Sequence, residues 1–582
     1  MLAPGEKHSM PVHNRDIAEI FNKVADLLEI EGANQFRVRA YRNAARTISD
    51  LPQSAADLVE KGEDLSKLSG IGKDLAGKIA EIVETGELAQ LKELESRTPA
   101  DLGRMMDIAG LGPKRVQALH AELGINSLDD LKEAAQQEKI REVSGFGVKT
   151  EKKILKGIKE LVAEKKRFRL KEVEEIAHSL LKHLKKVKGI KEVVIAGSYR
   201  RRRETVGDLD ILATCKKGSK VMEAFVKYED VDEVVSQGKT RSTVMLRSGL
   251  QVDLRVLAQV SFGAALHYFT GSKSHNIAVR KLGVQRDLKI NEYGVFKGEK
   301  RIAGQTEEEV YARVDLPYIE PELRENRGEI EAAQKGKLPQ LITLNDIRGD
   351  LHTHTKVTDG RHTLEEMAEA AKERGYDYLA ITNHSQRVTM THGLDAKKLR
   401  QEMEKIDKFN DSSKGFRILK AIEVDILKDG SLDLPDKVLK ELDVTVCSVH
   451  YHRNMSRKEM TERIIRAMDN PYFQILGHPT GRLLGNREPY DVDMEKIMAA
   501  AQERGCFLEL NSQPDRLDLS DVYCKLAKDM GVKIAISTDA HSKTDLDFMR
   551  FGVYQGRRGW LEAEDVLNTH GLKKLKKLIK RK

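Results

Sequence analysis

From about residue 347 onward, short apolar segments alternate with amphipathic helical segments at a spacing of roughly 30 residues. The apolar segments read DYLAITN, RILKAIEVDIL, DVTVCSVH, FQILGHP, CFLELNS and VKIAIST, and helices such as TLEEMAEAAKERG separate them. Strands that recur with a helix between them predict a parallel sheet covered by helices, because parallel strands need a long crossover connection. So many consecutive repeats predict a (β/α) barrel.

Metal-ligand residue types stand where these strands end. Barrel enzymes carry their chemistry at the carboxyl ends of the strands, so these side chains should converge on one pocket. A single histidine after a strand is more often a hydrogen-bonded loop residue, and the hypothesis therefore depends on the whole set. Imidazole and carboxylate ligands suit Mn²⁺, Zn²⁺ or Fe²⁺, in a site of up to three ions. The predicted ligands are His352, His354, Asp359, His384, Glu423, His450, His478, Asp539 and His541.

Length and composition narrow the class of protein. With 582 residues the chain has room for roughly three to five domains. A hydrophobic fraction of 40% without low-complexity tracts predicts a folded globular chain. The net charge of +8 is compatible with a polyanionic partner but too small to establish one.

Cysteine usage and the N-terminal residues bear on the compartment. Cys215, Cys447, Cys506 and Cys524 follow no metal-finger or disulfide spacing, which predicts a reducing environment. The start, MLAPGEKHSMPVHNRD, lacks the apolar core of a secretory signal, and no run of about 18 apolar residues occurs. We therefore expect a cytoplasmic protein without a membrane partner.

Up to about residue 190 the pattern is predominantly helical, and three short repeats lie inside this region: LSGIGKDLAGKI, IAGLGPKRVQAL and VSGFGVKTEKKI. In each repeat two glycines flank an apolar residue before a basic helix start, so amides beside a helix N-terminus can hold a DNA phosphate. One copy is commonly a simple helix–helix turn, whereas three copies predict DNA binding and resemble helix-hairpin-helix motifs. The glycines are Gly70, Gly72, Gly110, Gly112, Gly145 and Gly147.

Near residue 191 the pattern changes to short strands of a small sheet, KEVVIAG, DLDILAT and the hairpin TVMLRSGLQVDLRVLA. Asp208 and Asp210 are two apart and share a face of their strand. On the hairpin, Asp253 points away from its apolar neighbours, so it is a third candidate for that face. Such a cluster is unfavourable unless cations neutralise it, which predicts two divalent ions of the kind used in phosphoryl transfer.

The stretch GSYRRRRETVGDLDIL, residues 197–212, places a candidate phosphate site beside these acids. Gly197 and Ser198 follow a strand and begin a helix, so amides and a hydroxyl can meet a triphosphate, and Arg201 adds charge-assisted hydrogen bonds. Taken alone, the acids are more often a polar turn and the arginines a solvated face. The combination with a third acid on a neighbouring strand favours a phosphate and metal site.

On these motifs residues 1–320 resemble a family X DNA polymerase of the bacterial and archaeal type. VDLRV matches the family's third acid, and YFTGSKSHNIAVR, residues 268–280, its nucleotide-binding thumb segment. The resemblance implies that Asp208, Asp210 and Asp253 are catalytic and hold two Mg²⁺ or Mn²⁺ ions. It further implies nucleotide binding by Gly197, Ser198, Arg201, Tyr268, Phe269, Gly271, Asn276 and Arg280, the last near the template or the minor groove.

The N-terminal region resembles the lyase domain of the same family. FRVRAYRNAARTI matches the segment that contacts the 5′ end of a gap, and Lys78 falls at the Schiff-base lysine. A lysine can attack the aldehyde of a 5′-deoxyribose phosphate if nearby cations lower its pKa. The alternative is that Lys78 only contacts phosphate, and Arg37 and Asp74 stand where the animal enzymes have lysines.

Residues 347–582 resemble a PHP (polymerase and histidinol phosphatase) domain, and all nine ligand positions carry ligand types. The resemblance implies a distorted (β/α)7 barrel with 3′–5′ exonuclease activity, AP endonuclease activity or 3′-phosphatase activity. Asn383 departs from the family, which usually has Asp there. Arg516 would either hold a substrate phosphate or pair with Asp518. The last segment, GLKKLKKLIKRK, is amphipathic and basic, and is compatible with a docked end helix, a DNA contact or a membrane-surface anchor.

The predicted fold class is multidomain, α and α/β. It comprises helical helix-hairpin-helix domains, a nucleotidyltransferase palm with a mixed sheet, and the PHP barrel. The predicted domains are 1–90 (lyase-like and DNA-binding), 91–165 (helix-hairpin-helix fingers), 166–262 (palm), 263–320 (thumb), 321–346 (linker) and 347–582 (PHP).

The function predicted from these features is a DNA polymerase that fills short gaps in base excision repair or end joining, joined to a metal-dependent nuclease. Its expected partners are gapped or nicked DNA, dNTPs and DNA repair proteins, and the chain is expected to be a monomer. One alternative is a PHP phosphatase with an attached nucleotidyltransferase, which has no use for three DNA-gripping hairpins. The other is an inactive DNA-binding scaffold, which predicts missing acids or ligands.

Overall fold

The computed structural model describes residues 14–51, 53–97, 102, 105, 108, 111–162 and 167–580. The chain divides into two compact units, Met1–Lys166 and Arg167–Lys582. Within the described residues, no helix is long and apolar enough to cross a membrane.

The first unit is helical in the part that the structure describes. Apolar residues at helical spacing bury one face of each helix in a common core, in which Phe21 meets Tyr41 edge to face at 5.4 Å. The helices are α1 (Asn14–Ile30), α2 (Gln35–Ser49), α3 (Ala55–Glu60), α4 (Lys73–Thr85), α5 (Ala89–Arg97), α6 (Pro113–Leu123), α7 (Leu128–Gln136) and α8 (Val148–Val162).

The second unit begins with a palm built on a mixed five-stranded sheet. The sheet order is β2-β4-β7-β6-β5, in which β4 and β7 run parallel and the other pairs antiparallel. Its buried face carries Leu209, Ile211, Val252 and Leu254. The elements are β1 (Phe168–Arg169), α9 (Leu170–Lys185), β2 (Ile190–Ile195), α10 (Gly197–Arg200), β3 (Thr205–Val206), β4 (Asp208–Cys215), α11 (Val221–Val226), β5 (Val231–Gln237), β6 (Arg241–Leu246) and β7 (Gln251–Leu257).

A thumb follows, made of helices and an antiparallel sheet of order β10-β9-β8. Its elements are α12 (Phe262–Thr270), α13 (Lys273–Val284), β8 (Leu288–Asn291), β9 (Gly294–Lys297), β10 (Lys300–Ala303), α14 (Glu307–Ala312) and α15 (Glu329–Gln334). Residues 321–346, predicted as a polar linker, are not a free spacer, because Leu323 and Ile330 are buried in the thumb core. The polar composition is used for buried polar pairs, such as the ion pair of Arg324 with Glu307 and the hydrogen-bonded pair of His275 with Glu329.

The remainder is a barrel of seven parallel strands in sequential order, β11 to β17. Its last strand returns to its first, where the amide of His354 donates to the carbonyl of Ala540 at 2.8 Å. The elements are β11 (Gly349–Thr353), α16 (Leu364–Glu373), β12 (Tyr378–Ile381), α17 (Ala396–Ser412), β13 (Arg417–Asp425), α18 (Asp436–Leu439), β14 (Val444–Ser448), α19 (Arg457–Met468), β15 (Ile475–Leu476), α20 (Met494–Arg504), β16 (Phe507–Asn511), α21 (Asp521–Asp529), β17 (Ile534–Ser537), α22 (Met549–Arg558) and α23 (Leu572–Ile579).

The two faces of the barrel strands enter different cores. One set of residues, including Leu379 and Ile418, packs with the surrounding helices. The alternate set, including Leu351 and Val446, packs with Leu575 of α23. Helix α23 of the basic C-terminal segment is therefore docked through its apolar face, as the first of the three interpretations predicted, and the predicted fold class is confirmed.

Candidate active sites

The barrel gathers its predicted ligands into one cage, at the carboxyl ends of the strands. His352 lies on β11, Glu423 on β13, and the others follow β11, β12, β14, β15 and β17 directly or in the next loop. A parallel barrel folds its strands side by side in sequence order, so residues about 190 positions apart in the chain meet at one rim. The predicted ligand side chains therefore lie close together at this rim.

Eight of the nine residues form three overlapping groups whose ligand atoms lie within 4.8 Å of one another. His354 is shared by two groups, and His384 by two. The ninth residue, His478, places its Nε2 3.1 Å from Oε1 of Glu423. The groups are His354, Asp359, His384 and His541; His352, His354 and Asp539; and His384, Glu423 and His450.

Glu423 is the carboxylate around which three histidines of the cage are arranged. Its carboxylate lies 2.8 Å from His384, 3.2 Å from His450 and 3.1 Å from His478. Burial alone would raise the pKa of Glu423, but the imidazoles around it hold that pKa well below its ordinary value. Conversely, burial would lower the pKa of His384, but the charges and hydrogen bonds of Glu423 and Asp359 together outweigh it and raise that pKa to about 10.

The cage has the donor set that divalent transition metals need. Five buried imidazole nitrogens there make no hydrogen bond of good geometry to the described residues, although two of them lie near carboxylates, Nδ1 of His384 at 2.8 Å from Glu423 and Nε2 of His354 at 3.1 Å from Asp539. The five are Nε2 of His352, both nitrogens of His354, Nδ1 of His384 and Nδ1 of His478. A buried nitrogen without a partner is costly in a protein interior. Divalent ions would satisfy these nitrogens together with the carboxylates, so the residues fit the metal centre that the PHP resemblance implies.

Residues outside the predicted set orient the ligands. Glu509 meets Nδ1 of His352 at 2.6 Å and accepts from the amide of His478 at 2.7 Å. Asp425 meets Nδ1 of His450 at 3.1 Å. Sequence reasoning missed both, although Asp425 stands two residues after Glu423 and so shares its face of the strand.

Asn383, the departure from the PHP pattern, is buried beside the cage and holds its neighbouring loop. Its Oδ1 accepts from the amide of Thr355 at 2.9 Å, and its Nδ2 donates to the Thr355 hydroxyl at 2.9 Å. An aspartate at this position would supply the acceptor oxygen but not the N–H donor. The amide side chain thus supports the loop between His354 and Asp359.

The second candidate site lies on the palm, where β4 and β7 are paired. Asp210 stands directly opposite Asp253 in the register, and Asp208 opposite Gln251, so the three acids share a face. Burial, with the charges of Asp208 and Asp253, raises the pKa of Asp210 to about 7. The palm site is more open than the cage. Within the described part of the chain, its carboxylate oxygens do not form a group that lies within 4.8 Å of one another.

Neighbouring side chains hold Asp253 in place. Its carboxylate accepts from the Thr243 hydroxyl at 2.5 Å, from Nε2 of Gln251 at 2.9 Å and from Arg241 at 3.1 Å. These partners were not predicted, although Thr243 pairs with Asp253 across the β6–β7 hairpin. These three hydrogen bonds fix the orientation of the Asp253 carboxylate before a cation binds.

The predicted phosphate site is a tight turn against the acids. Gly197 has φ 64° and begins α10, and a Cβ built on it would lie 2.9 Å from Oδ2 of Asp210. Only glycine suits both the left-handed backbone and the close approach. Ser198 follows in the same turn and is half-buried.

The arginines that follow are not a solvated face, which corrects that alternative. Arg200 is bonded twice to Glu307, at 2.8 and 2.6 Å. Arg201 donates from Nε to Glu325 at 3.0 Å and from Nη1 to the Thr270 carbonyl at 2.7 Å. All four arginines are half-buried, and these two connect the turn to the thumb.

The predicted nucleotide pocket lies at the junction of α12 and α13. Nδ2 of Asn276 donates to the carbonyls of Tyr268 at 2.6 Å and Gly271 at 3.2 Å. A Cβ on Gly271 would lie 2.6 Å from Oδ1 of Asn276, so a side chain at this position would have to displace the Asn276 carboxamide. The ring of Phe269 lies 4.5 Å below Arg255, which shares a face of β7 with Asp253. Arg280 is exposed one turn after Asn276 on α13.

The predicted lyase residue has a different environment from an activated nucleophile. Nζ of Lys78 is 2.5 Å from Asp74 and lies over the ring of Tyr41. Burial lowers the pKa of Lys78, but the bond to Asp74 and the contact with Tyr41 outweigh it and raise that pKa. The ammonium form is therefore favoured at neutral pH, which suits a phosphate contact better than attack on an aldehyde.

Five of the six helix-hairpin-helix glycines lie in the part of the chain that the structure describes. Gly72 and Gly112 cap the N-termini of α4 and α6, and Gly70 and Gly145 have φ of 80° and 84°. Gly147 directly precedes α8. These five are exposed, and Gly110 lies outside the described residues. Exposed amides at helix N-termini suit a phosphate.

Family models match four parts of the chain. They are a helix-hairpin-helix domain at residues 12–88, a SAM-like helix-hairpin-helix tandem at 102–160, a DNA polymerase beta thumb at 265–325 and a PHP domain at 350–513. The thumb match includes the junction around Tyr268 and Asn276. The PHP match includes the cage up to His478.

A full-length relative decides the family. The DNA polymerase/3′-5′ exonuclease PolX of Bacillus subtilis (strain 168) is 37% identical over 577 residues, which cover 98% of this chain and 100% of that protein. The chain belongs to the PolX family. A probable phosphatase of Thermoanaerobacter sp. (strain X514) is 32% identical over 246 residues, 40% of this chain and 94% of that protein. A probable phosphatase of Acetivibrio thermocellus is 30% identical over 248 residues, again 40% of this chain.

Membership of the PolX family is consistent with the two candidate active sites of this chain, one on the palm and one in the barrel. The family X polymerase and PHP resemblances, drawn from motifs, are confirmed by the family models and by the full-length relative. The roles of individual side chains at both centres remain predictions.

Proposed function

We propose that this chain extends DNA 3′ ends at the palm and shortens or cleans 3′ ends at the barrel, with gapped or nicked DNA and dNTPs as substrates. The observation that carries the proposal is the pairing of Asp210 with Asp253 beside the Gly197 turn, in a chain that also holds the histidine cage. An inactive scaffold is disfavoured, because the chain carries every acid and ligand that the two resemblances require.

At the palm, Asp208, Asp210 and Asp253 would hold two Mg²⁺ or Mn²⁺ ions, which when bound stabilise the charge of the attacking and leaving oxygens. The chain's own groups do the rest. The amides and hydroxyl of Gly197 and Ser198 would bind the phosphates. Their place at the start of α10 suits an anion, although so short a helix adds little dipole.

Also at the palm, Arg201 would contribute through Nη2, since two of its three nitrogens are taken by Glu325 and Thr270. Tyr268, Phe269, Gly271 and Asn276 would shape the sugar and base pocket, and Arg280 would face the template. Their arrangement at one helix junction supports this division of roles.

At the barrel, the nine cage residues would hold up to three ions, of Mn²⁺, Zn²⁺ or Fe²⁺, which when bound activate water for phosphoester hydrolysis. Glu509 and Asp425 keep the imidazoles of His352 and His450 in orientation. Most of the cage residues are buried, which holds the ligands in fixed rotamers, while Asp359, His450 and His541 are half-buried.

A phosphomonoesterase activity at the barrel is the second candidate. It is favoured by the probable phosphatases, whose matched length is close to that of the barrel alone. The 3′-phosphatase and AP endonuclease activities, a lyase role for Lys78, repair proteins as partners, a cytoplasmic location and a monomeric state all stay predictions.

The test uses gapped DNA with a labelled primer, with and without dNTPs, in Mn²⁺. We expect Asp210→Asn to reduce extension by about 100-fold or more while shortening persists. We expect His352→Ala to abolish shortening while extension persists. His178→Ala, on the exposed face of α9, is the control and should change neither. Extension that survives the first change, or shortening that survives the second, contradicts the proposal.

A primer that ends in a 3′-phosphate separates the two barrel candidates. Release of inorganic phosphate before any nucleotide is removed supports the phosphomonoesterase activity. Release of nucleotides only from 3′-hydroxyl ends supports an exonuclease alone.

A further inference from the structure

One face of α22, a helix of the barrel, contacts the palm. Phe551, Tyr554, Gln555 and Arg558 recur at the i, i+3, i+4 and i+7 spacing of a single helix face. Phe551 is buried in the palm core together with Leu517. Neither cage ligands nor palm acids lie on this face.

The polar residues of that face meet the segment 197–204, here called the phosphate turn. Gln555 donates to Glu204 at 3.2 Å, and the ring of Tyr554 lies 4.3 Å from the guanidinium of Arg202. Arg482, from the loop after the cage residue His478, also donates to Glu204, at 2.7 Å. The barrel therefore contacts the turn at successive positions.

Arg558 makes the most direct contact. Its Nη1 donates to the backbone carbonyl of Arg201 at 2.9 Å and to Glu325 at 3.1 Å, and its Nη2 donates to Asp521 at 2.6 Å. Arg558 is 5% exposed and Glu325 8% exposed. Charge-assisted bonds at such burial are strong, and they are costly to break.

Glu325 is shared between the barrel and the turn. It accepts from Nε of Arg201 at 3.0 Å and from Arg558, and it lies 3.6 Å from Arg203. If Arg558 were absent, the carboxylate would pair with Arg201 more fully. The positive charge of Arg201 would then be compensated, and its carbonyl would lose a donor.

We infer that Arg558 of the barrel is a positioning residue for nucleotide addition at the palm. It holds the backbone of Arg201 and draws on the charge of Glu325, so that the turn keeps the shape and charge that receive a triphosphate. The inference rests on the proposed polymerase function. It makes the barrel a structural part of the polymerase site, independently of its own hydrolytic centre.

The test measures dNTP KM and kcat for single-nucleotide gap filling by the full-length chain. We expect Arg558→Gln to raise the dNTP KM about tenfold, equivalent to about 1.4 kcal/mol, with a smaller change in kcat. Arg558→Lys keeps the charge but not the three bonds, and should recover part of the loss. Arg557→Gln is the matched control, because the neighbouring Arg557 donates to Glu322 at 2.7 Å and not to the turn.

Coupling with Arg201 separates positioning from a general structural effect. In an Arg201→Gln background, we expect Arg558→Gln to have little further effect on the dNTP KM. Shortening of the same primer without dNTPs reports that the protein is folded. If Arg558→Gln loses shortening as well, Arg558→Lys decides, and it should raise the dNTP KM with shortening intact.

Two results overturn the inference. One is a wild-type dNTP KM in every folded Arg558 variant, and the other is full additivity with Arg201→Gln. Failure of the wild-type chain to extend primers would instead contradict the proposed function itself, so the two failures are distinguishable.

Discussion

At the scale of single residues, the palm depends on one glycine that touches a carboxylate. Gly197 combines a φ of 64° with an approach that would leave only 2.9 Å between a Cβ and Asp210. A side chain there has to strain the backbone and displace the acid whose pKa is already raised to about 7 by its neighbours.

We predict that Gly197→Ala reduces primer extension about tenfold or more, because a left-handed non-glycine residue costs roughly 1–2 kcal/mol before the displacement of Asp210 is counted. Primer shortening by the same preparation should be unchanged. The matched control is Gly218→Ala, also in the palm, where φ is 83° and a Cβ would meet nothing within 4 Å. Equal losses of extension in both variants would show that backbone strain alone is responsible.

At the scale of elements, the basic C-terminal helix α23 is part of the barrel core. Leu575 is fully buried against alternate residues of the strands, while Lys576 reaches Asp443 at 2.7 Å on the surface. The amphipathic pattern thus serves packing first, and its charges remain outside.

We predict that Leu575→Ala destabilises the barrel by about 2–5 kcal/mol, the usual cost of a cavity at a buried leucine. Thermal unfolding followed by circular dichroism measures the change, and primer shortening should fail at a lower temperature than in the wild type. Leu572→Ala, at a half-buried position of the same helix, should cost less. A similar loss in both variants would contradict the packing that distinguishes them.

At the scale of the whole second unit, palm, thumb and barrel are joined by buried charges. Burial alone would raise the pKa of Glu325, but Arg558, Arg201 and Arg203 lower it to about 2. A carboxylate with a lowered pKa contributes stability that is fully present above its ordinary value near 4.5 and is lost as the pH falls toward 2.

We predict that wild type is more stable than Glu325→Gln at pH 7, and that the difference decreases as the pH falls from about 5 to about 3. Urea unfolding midpoints at several pH values measure it. The control is Glu441→Gln, which removes an exposed pair with Arg400 and should change stability little. A difference for Glu325→Gln that does not vary with pH would show that its ionisation is not what joins these parts.

Contacts across the whole second unit also explain why composition predicted a linker at residues 321–346. Residues 321–346 are polar and contain prolines, which indicates a linker, yet Glu325 is paired with arginines and Glu329 is hydrogen-bonded to His275, all from elsewhere in the chain. Local composition does not reveal such partners, because they lie far away in sequence.

The sequence by itself determined the fold class, the PolX family resemblance and the metal-ligand types. Residues two apart on a strand share a face of the sheet, and strands that alternate with helices end at the same edge of the barrel. Asp208, Asp210 and the nine cage residues follow from that periodicity.

Only the tertiary structure decided how those groups are supported. The bonds of Glu509 to the cage, of Thr243 to Asp253 and of Arg558 to the phosphate turn join residues that no local pattern connects. Electrostatic stabilisation of a buried charge depends on distance and burial, which arise when the chain has folded and not from the spacing of residues along it.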